Sequence, residues 1–293
     1  MARVICAGHV NWDVTLCVDR LPTADGEATI TDQHQSGGGS ASNVATALSA
    51  LDVSTGLLGS VGADENGHLV RRVLREVGVD CTALVTAGAD TAVKYLVVDA
   101  DGEVIVLGNE GANEAFSAAD LPAEALAAAE HLHLTSQDPE TAAALAARAR
   151  EADATVSFDP GRRIGERDFG ATIELADVIF LNEREASTAI SEHFGPIDDV
   201  DAVVVIKHGN DGAEVCTPDG RYLNHPGFPV EAVDTTGAGD AFAAGFLAEF
   251  LDAADPAYER CLAVGNACGA LAAGTRGARS PLSWADVESL LDG

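Results

Sequence analysis

An acid that opens a helix directly behind three small residues, Gly237-Ala238-Gly239-Asp240, is the stretch of this sequence best suited to chemistry. Small residues let a ligand approach the backbone, and the unsatisfied N–H groups of a helix's first turn attract an anion. A carboxylate at the rim of that anion pocket is placed to take a proton. An anion cradle beside a base is what transfer of a phosphoryl group to a hydroxyl needs, because that chemistry is mostly positioning and charge stabilisation. The same residues also suit a capped tight turn, with Asp234 or Asp240 accepting from orphan N–H groups. On spacing alone both readings stand.

A second glycine run, Gly37-Gly38-Gly39-Ser40-Ala41-Ser42-Asn43, again precedes a helical segment and would aim Asn43 from the first turn at a bound molecule. It lacks the Gly-Lys-Ser/Thr ending of a triphosphate loop, and Gly237-x-Gly239 lacks the third glycine of a dinucleotide fingerprint. Asn11 and Asp13 follow the first strand and are candidates for hydroxyl recognition, or plain loop residues. Asn182 and Glu185, three apart at a strand-to-helix junction, either reach Mg²⁺ through water or form a capping box. Lys94 and Lys207 are the only lysines. Lys94 stands on a strand, facing solvent or a ligand, and Arg162 and Arg163 either pair with acids or meet an anionic substrate. His131, His133 and His208 have no zinc spacing, so structural roles or exposure are expected.

What must position these groups is a large, strongly acidic chain. The 293 residues are 47% hydrophobic, enough for a large core, and 17 Lys plus Arg against 47 Asp plus Glu leave a net charge of −30. Such a surface repels phosphate backbones, so nucleic acid is not expected as a partner. Dispersed acids with little Lys suit solubility in concentrated salt, where screening removes the self-repulsion penalty. Six cysteines without paired rhythm read as buried thiols of a reducing cytoplasm. No signal peptide or membrane span is expected.

Residues 3–8 read as a buried first strand, and 14–18 with 28–34 as a hairpin exposed on one face. A helix is expected up to residue 51, a strand over 55–61, a helix over 66–76 and a further strand beginning at 79–82. A second hairpin joins 91–98 to 103–107, and with 28–34 it could build a small separate sheet. From 121 onward strands at 132–134, 155–158, 178–181 and 202–206 alternate with helices such as 139–151. Helices over 241–251, 258–273 and 283–291 close the chain. This rhythm predicts an α/β fold, a doubly wound and mostly parallel sheet flanked by helices, whose strands deliver polar residues to one edge. No repeat or linker divides the chain, so one domain over 1–293 is expected.

The two glycine motifs, with Asn182-x-x-Glu185 between them, resemble the ribokinase (PfkB) family of carbohydrate kinases over essentially the whole length. The resemblance implies a ribokinase-like fold with a small β-sheet lid, its strands within about 13–35 and 90–110, that often pairs between two subunits. It implies transfer of the γ-phosphoryl group of ATP to a sugar hydroxyl, with Mg²⁺ and K⁺. Asp240 would be the base, with the amides of Gly237, Ala238 and Gly239 forming the anion hole. Asn11, Asp13, Gly38, Gly39 and Asn43 would hold the sugar, joined by Lys94 and Arg162 if they meet it. Asn182 and Glu185 would position Mg²⁺ and the ATP phosphates, which Lys207 and Gly209 would line. Gly212 would shape that turn, and Asn266 and Gly277 would flank the adenine. Asp234, Thr236 and the loop from Gly277 to Ser280 match the place where many members bind K⁺.

Ser40 departs from the family, since ribokinases proper carry Lys after the paired glycines, and ribose itself is therefore in question. Arg162 and Arg163 would suit an acceptor that already bears an anion, such as ribose 1-phosphate, fructose 1-phosphate or 2-keto-3-deoxygluconate. A neutral sugar is placed just ahead of these, with nucleosides also open. Outside this class stands a non-catalytic sugar sensor, against which the intact Gly237-Ala238-Gly239-Asp240 argues, and an NAD-dependent oxidoreductase, against which the glycine spacing argues.

Overall fold

Continuous apolar runs become the strands of a parallel sheet covered on both faces, because only there are both sides of a strand dry. The computed structural model describes residues 2–101, 103–252, 256–275, 277 and 282–293. Its strands are β1 (Val4–Ala7), β2 (Asn11–Val18), β3 (Ile30–Gly38), β4 (Thr55–Gly62), β5 (Leu84–Ala87), β6 (Ala92–Val98), β7 (Val104–Gly108), β8 (His131–Thr135), β9 (Thr155–Asp159), β10 (Val178–Asn182), β11 (Val203–Lys207), β12 (Ala213–Cys216) and β13 (Tyr222–His225). Nine of them form one sheet in the order β13-β12-β11-β10-β9-β8-β1-β4-β5. All its pairings from β5 to β11 are parallel, and β12 and β13 add an antiparallel edge.

The helices are α1 (Ser40–Ala50), α2 (Glu65–Glu76), α3 (Ala123–Ala127), α4 (Pro139–Glu151), α5 (Gly170–Ile173), α6 (Glu183–Ala189), α7 (Ala238–Phe250), α8 (Tyr258–Ala273) and α9 (Trp284–Leu291). α1, α2 and α7 to α9 bury side chains against one face of the sheet, α3 to α6 against the other. Phe246 of α7 meets Phe180 of β10 edge to face at 5.4 Å, both fully buried, and burial of each ring contributes about 2–3 kcal/mol. Such packing sets α7 across the sheet with its N-terminus at the strands' C-terminal edge. The strand order turns back between β1 and β8, and ligands of such sheets bind at that edge beside the turning point.

A four-stranded second sheet, β3-β2-β6-β7, stands over this edge. Its strands run further than the alternation of 14–18 and 28–34 predicts. Pairing extends to Asn11 opposite Gly38 and Asp13 opposite Ser36, so Asn11 and Asp13 belong to a strand and not to a loop. β2 also pairs in parallel with β6, which sets Lys94 opposite Asp13. The strand expected from 79 reduces to one bridge, Gly56 with Asp80, before β5. The β12 and β13 edge gave no sequence signal, being two four-residue strands with mixed exposure.

Candidate active site

Two clefts meet at the N-terminus of α7, each a cavity of about 300 Å³, and Thr235 lines both. Gly237 caps the helix in the left-handed conformation, φ 78°, which glycine adopts without strain. Of the expected anion-hole amides, Ala238 N–H here donates to Thr235 O at 3.2 Å. Asp240 lies in the first turn, and its Oδ2 accepts from Asn43 Nδ2 at 2.9 Å, which ties α7 to α1 across 197 residues of sequence. Burial, with the nearby Asp159 charge, pushes the Asp240 carboxyl up to about 6, while Asn43 and the Lys207 and Lys94 charges act the other way.

The first cleft collects Asp13, Gly39, Ser40, Asn43, Lys94, Arg162, Thr236, Gly237 and Asp240. Gly38 lies beneath it: a Cβ there would meet Asp13 Oδ2 at 2.0 Å, so only glycine lets β3 pass the Asp13 carboxylate. Gly39 has φ 93° and a Cβ on it would strike His9 O at 2.4 Å. Asn11 is fully buried beside the cleft; its Oδ1 accepts from Asn113 Nδ2 at 2.8 Å and its Nδ2 has no partner. Lys94 and Arg162 are exposed and make no salt bridge among the described residues. Arg163 behaves differently from its neighbour. It is taken up by Glu110 and Glu114, at 2.9 and 3.0 Å, so the pair of adjacent arginines supplies the cleft with one cation and not two.

The second cleft collects Asn182, Lys207, Gly209, Gly212, Ala238, Gly239 and Asn266 with the apolar Phe228, Val230 and Phe242. Lys207 ends β11 and bonds Asp159 Oδ2 at 2.7 Å. Burial pulls its pKa down, but the charge and hydrogen bond of Asp159 outweigh this and the pKa is raised. Gly212 has φ 86°, and a Cβ there would meet His225 O at 2.0 Å. Asn266 Nδ2 donates back to Leu262 O, in the helix.

Asn182 and Glu185 form the reciprocal capping box: Asn182 Oδ1 accepts from Glu185 N and Glu185 Oε2 from Asn182 N, each at 2.9 Å. Glu185 is 6% exposed and lines neither cleft, and burial together with Asp159 raises its pKa. Asp234 is likewise engaged, Oδ1 by Thr236 N at 2.9 Å and Oδ2 by Gly277 N at 3.0 Å, so it staples two loops. Ser280 lies outside the described residues. His131 and His133 are buried and share Ser157 Oγ, each at 2.7 Å; burial holds them neutral, pushed down to about 3 and about 4.

Two residues with no role in the sequence reading sit at the same edge. Asp159 ends β9 and binds Lys207; Gln137 follows β8, fully buried with Oε1 unpartnered. The signal that finds them is the rule already applied to Asn182 and Lys207, polar residues at a strand's C-terminal end.

The description of pfkB family carbohydrate kinases matches residues 1–285. The chain belongs to that family. It is similar to an ATP-dependent ribose-1-phosphate kinase of Halopiger xanaduensis, 58% identical over 283 residues that cover 96% of this chain and 95% of the relative. A nucleoside kinase of Methanothermobacter thermautotrophicus is 29% identical, covering 86% and 84%. Among solved structures, the ribokinase of Thermotoga maritima superposes with a TM-score of 0.87 at 22% identity over the whole of both chains, which concerns fold alone. As a pfkB carbohydrate kinase the protein phosphorylates a sugar hydroxyl, and the ribokinase-like fold with its second small sheet is as expected. No helix among the described residues is long and apolar enough to cross a membrane.

Proposed function

We propose that this carbohydrate kinase moves the γ-phosphoryl group of ATP to a hydroxyl of a sugar that already carries a phosphate, ribose 1-phosphate being the substrate tested first. The observation that carries the reading is the pair Lys94 and Arg162, two cations without a salt bridge among the described residues in the cleft that holds Asp240, in a chain with net charge −30. Among the described residues most other arginines are paired with acids, so two cations beside carboxylates in an open cleft suit an anionic ligand. The name of the Halopiger relative supports the same acceptor. This reverses the order in which neutral and anionic sugars were placed from sequence, within the same phosphoryl transfer.

Asp240 takes the proton of the acceptor hydroxyl, whose oxygen then attacks the γ-phosphorus as the bond to ADP breaks. The N-terminus of α7, with Gly237 and Gly239, receives the charge of the transferring group, and Lys207 faces the ATP phosphates. Asp13, Asn11, Asn43 and Gln137 hold the sugar; the unpartnered Asn11 Nδ2 and Gln137 Oε1 are a buried donor and acceptor that sugar hydroxyls would satisfy. Gly209 and Gly212 shape the phosphate loop, and Asn266 and Gly277 flank the adenine. Asn182 and Glu185, joined to each other in the capping box, would reach Mg²⁺ through water, and the ion when bound would neutralise phosphate charge. A K⁺ requirement rests on Asp234 and Thr236.

In this reading the chain is one cytoplasmic domain with the small sheet as its lid, and a second copy covers the exposed Tyr95, Val104, Val106 and Leu107 of that sheet. The acidic surface sets the assay in high KCl. ADP release measured against ribose 1-phosphate, fructose 1-phosphate, 2-keto-3-deoxygluconate, ribose, fructose and nucleosides is expected to give the highest kcat/KM with a sugar phosphate. A neutral sugar or nucleoside as best acceptor would sink the anionic reading, and no turnover with any would favour the sensor.

A further inference from the structure

Glu114 stands where three segments converge behind the acceptor cleft. It belongs to the loop by which the chain leaves β7 and returns to the large sheet, and it takes the left-handed conformation at φ 61°, uncommon outside glycine. Its Oε1 accepts from His9 Nε2 at 2.8 Å, Arg163 Nη1 at 3.0 Å and Arg167 Nη1 at 2.8 Å. Burial opposes its ionisation, but the hydrogen bonds and charges of His9 and Arg167 prevail and its carboxyl falls to about 2. Arg163 also reaches Glu110, but Glu110 is 74% exposed and that pair is a weak surface contact. Glu114, 19% exposed, is the firm end.

The loop is tied to the small sheet. Asn109 exchanges hydrogen bonds with the Val93 backbone of β6, at 3.1 and 3.2 Å, and Asn113 grips Val10 N and Asn11 at the start of β2. On the other side Arg163 lies in the 3-10 turn Gly161–Gly165, next to Arg162, which lines the acceptor cleft. Glu114 therefore joins the base of the small sheet to the turn that carries Arg162, one of the two cations of the cleft that make no salt bridge among the described residues.

We infer that Glu114 is a positioning residue for the acceptor's anionic group: through Arg163 it holds the turn that aims Arg162, and it makes that aim depend on where the small sheet stands. The inference rests on the anionic-acceptor reading above. Its test is a double-mutant cycle on the full chain in high KCl, with ribose 1-phosphate as acceptor and folding followed by thermal melting. Arg162→Ala is expected to raise the acceptor KM by about tenfold and Glu114→Gln by about fivefold, with the ATP KM moving less than twofold in either. In the Arg162→Ala background Glu114→Gln is expected to add nothing, because its effect passes through Arg162. A further rise in the double mutant equal to that of Glu114→Gln alone, or an equal rise in both KM values, overturns the joint while leaving the anionic acceptor in place. An unchanged acceptor KM in Arg162→Ala overturns the anionic reading and this inference with it. Should Glu114→Gln fail to fold, Arg163→Gln breaks the same joint from its other side and completes the same cycle.

Discussion

The two clefts on either side of α7 treat their cations in opposite ways. In the cleft proposed for the nucleotide, Lys207 is held by Asp159 at 2.7 Å, with both side chains about one-seventh exposed. In the cleft proposed for the acceptor, Lys94 and Arg162 are exposed, with no salt bridge among the described residues. A buried cation must have a partner inside the protein or the cost of desolvating it goes uncompensated. An exposed cation can wait in water for a ligand. On the proposed assignment of the clefts, the first arrangement preorganises charge for the nucleotide that such kinases share, and the second leaves charge for the acceptor that distinguishes one kinase from another.

The largest break in this picture is expected at Asp240, which lines the first cleft in the opening turn of α7, where the two clefts meet. Asp240→Asn is expected to lower kcat by about 10³-fold or more while leaving the ATP KM nearly unchanged, in steady-state ADP release. Near-normal turnover would remove Asp240 as the base.

Smaller effects separate the clefts from each other. Lys207→Met should destabilise the fold by about 2–3 kcal/mol, because Asp159 is left partly buried without its partner. Lys94→Met should change stability by less than about 0.5 kcal/mol, since it breaks no pair. Denaturant unfolding in high KCl measures both, and equal losses would erase the distinction between a structural and a waiting cation.

A further test is the pH dependence of stability at Asp240. Its folded pKa is raised to about 6 from an unfolded value near 3.8. Stability from this group is thus fully present below about pH 4 and is lost as pH rises through about 6. Activity runs the other way, since the base must be ionised, so kcat/KM should climb through the same window. Asp240→Asn should therefore melt a few degrees higher than the native protein at pH 8 and show no such gain at pH 4. A native-like melting point at both pH values would show that burial exerts no strain on this carboxylate.

Much of this was legible in the residues. Runs such as 178–181 are apolar on both sides, and only a sheet covered on both faces buries them, so periodicity predicts the parallel sheet. Gly237 to Asp240 and Gly38 to Asn43 carry their chemistry locally, in backbone freedom and helix N-termini. Short strands such as β12 and β13 gave no comparable signal. Asp159 and Gln137 passed without a role because a carboxylate at a strand end looks the same whether it faces water or a lysine.

What the sequence determined by itself was the set of local devices, the fold class and the acidic surface, since each follows from neighbours within a few residues. What only the tertiary structure decided was the partner of each charge that pairs across distant segments. Arg162 and Arg163 are adjacent and chemically identical, yet one lines the cleft that holds Asp240 and the other is bound to Glu114, 49 residues away. The physical reason is that pairing is settled by which loops the two sheets bring within hydrogen-bond reach, and no local pattern carries that distance.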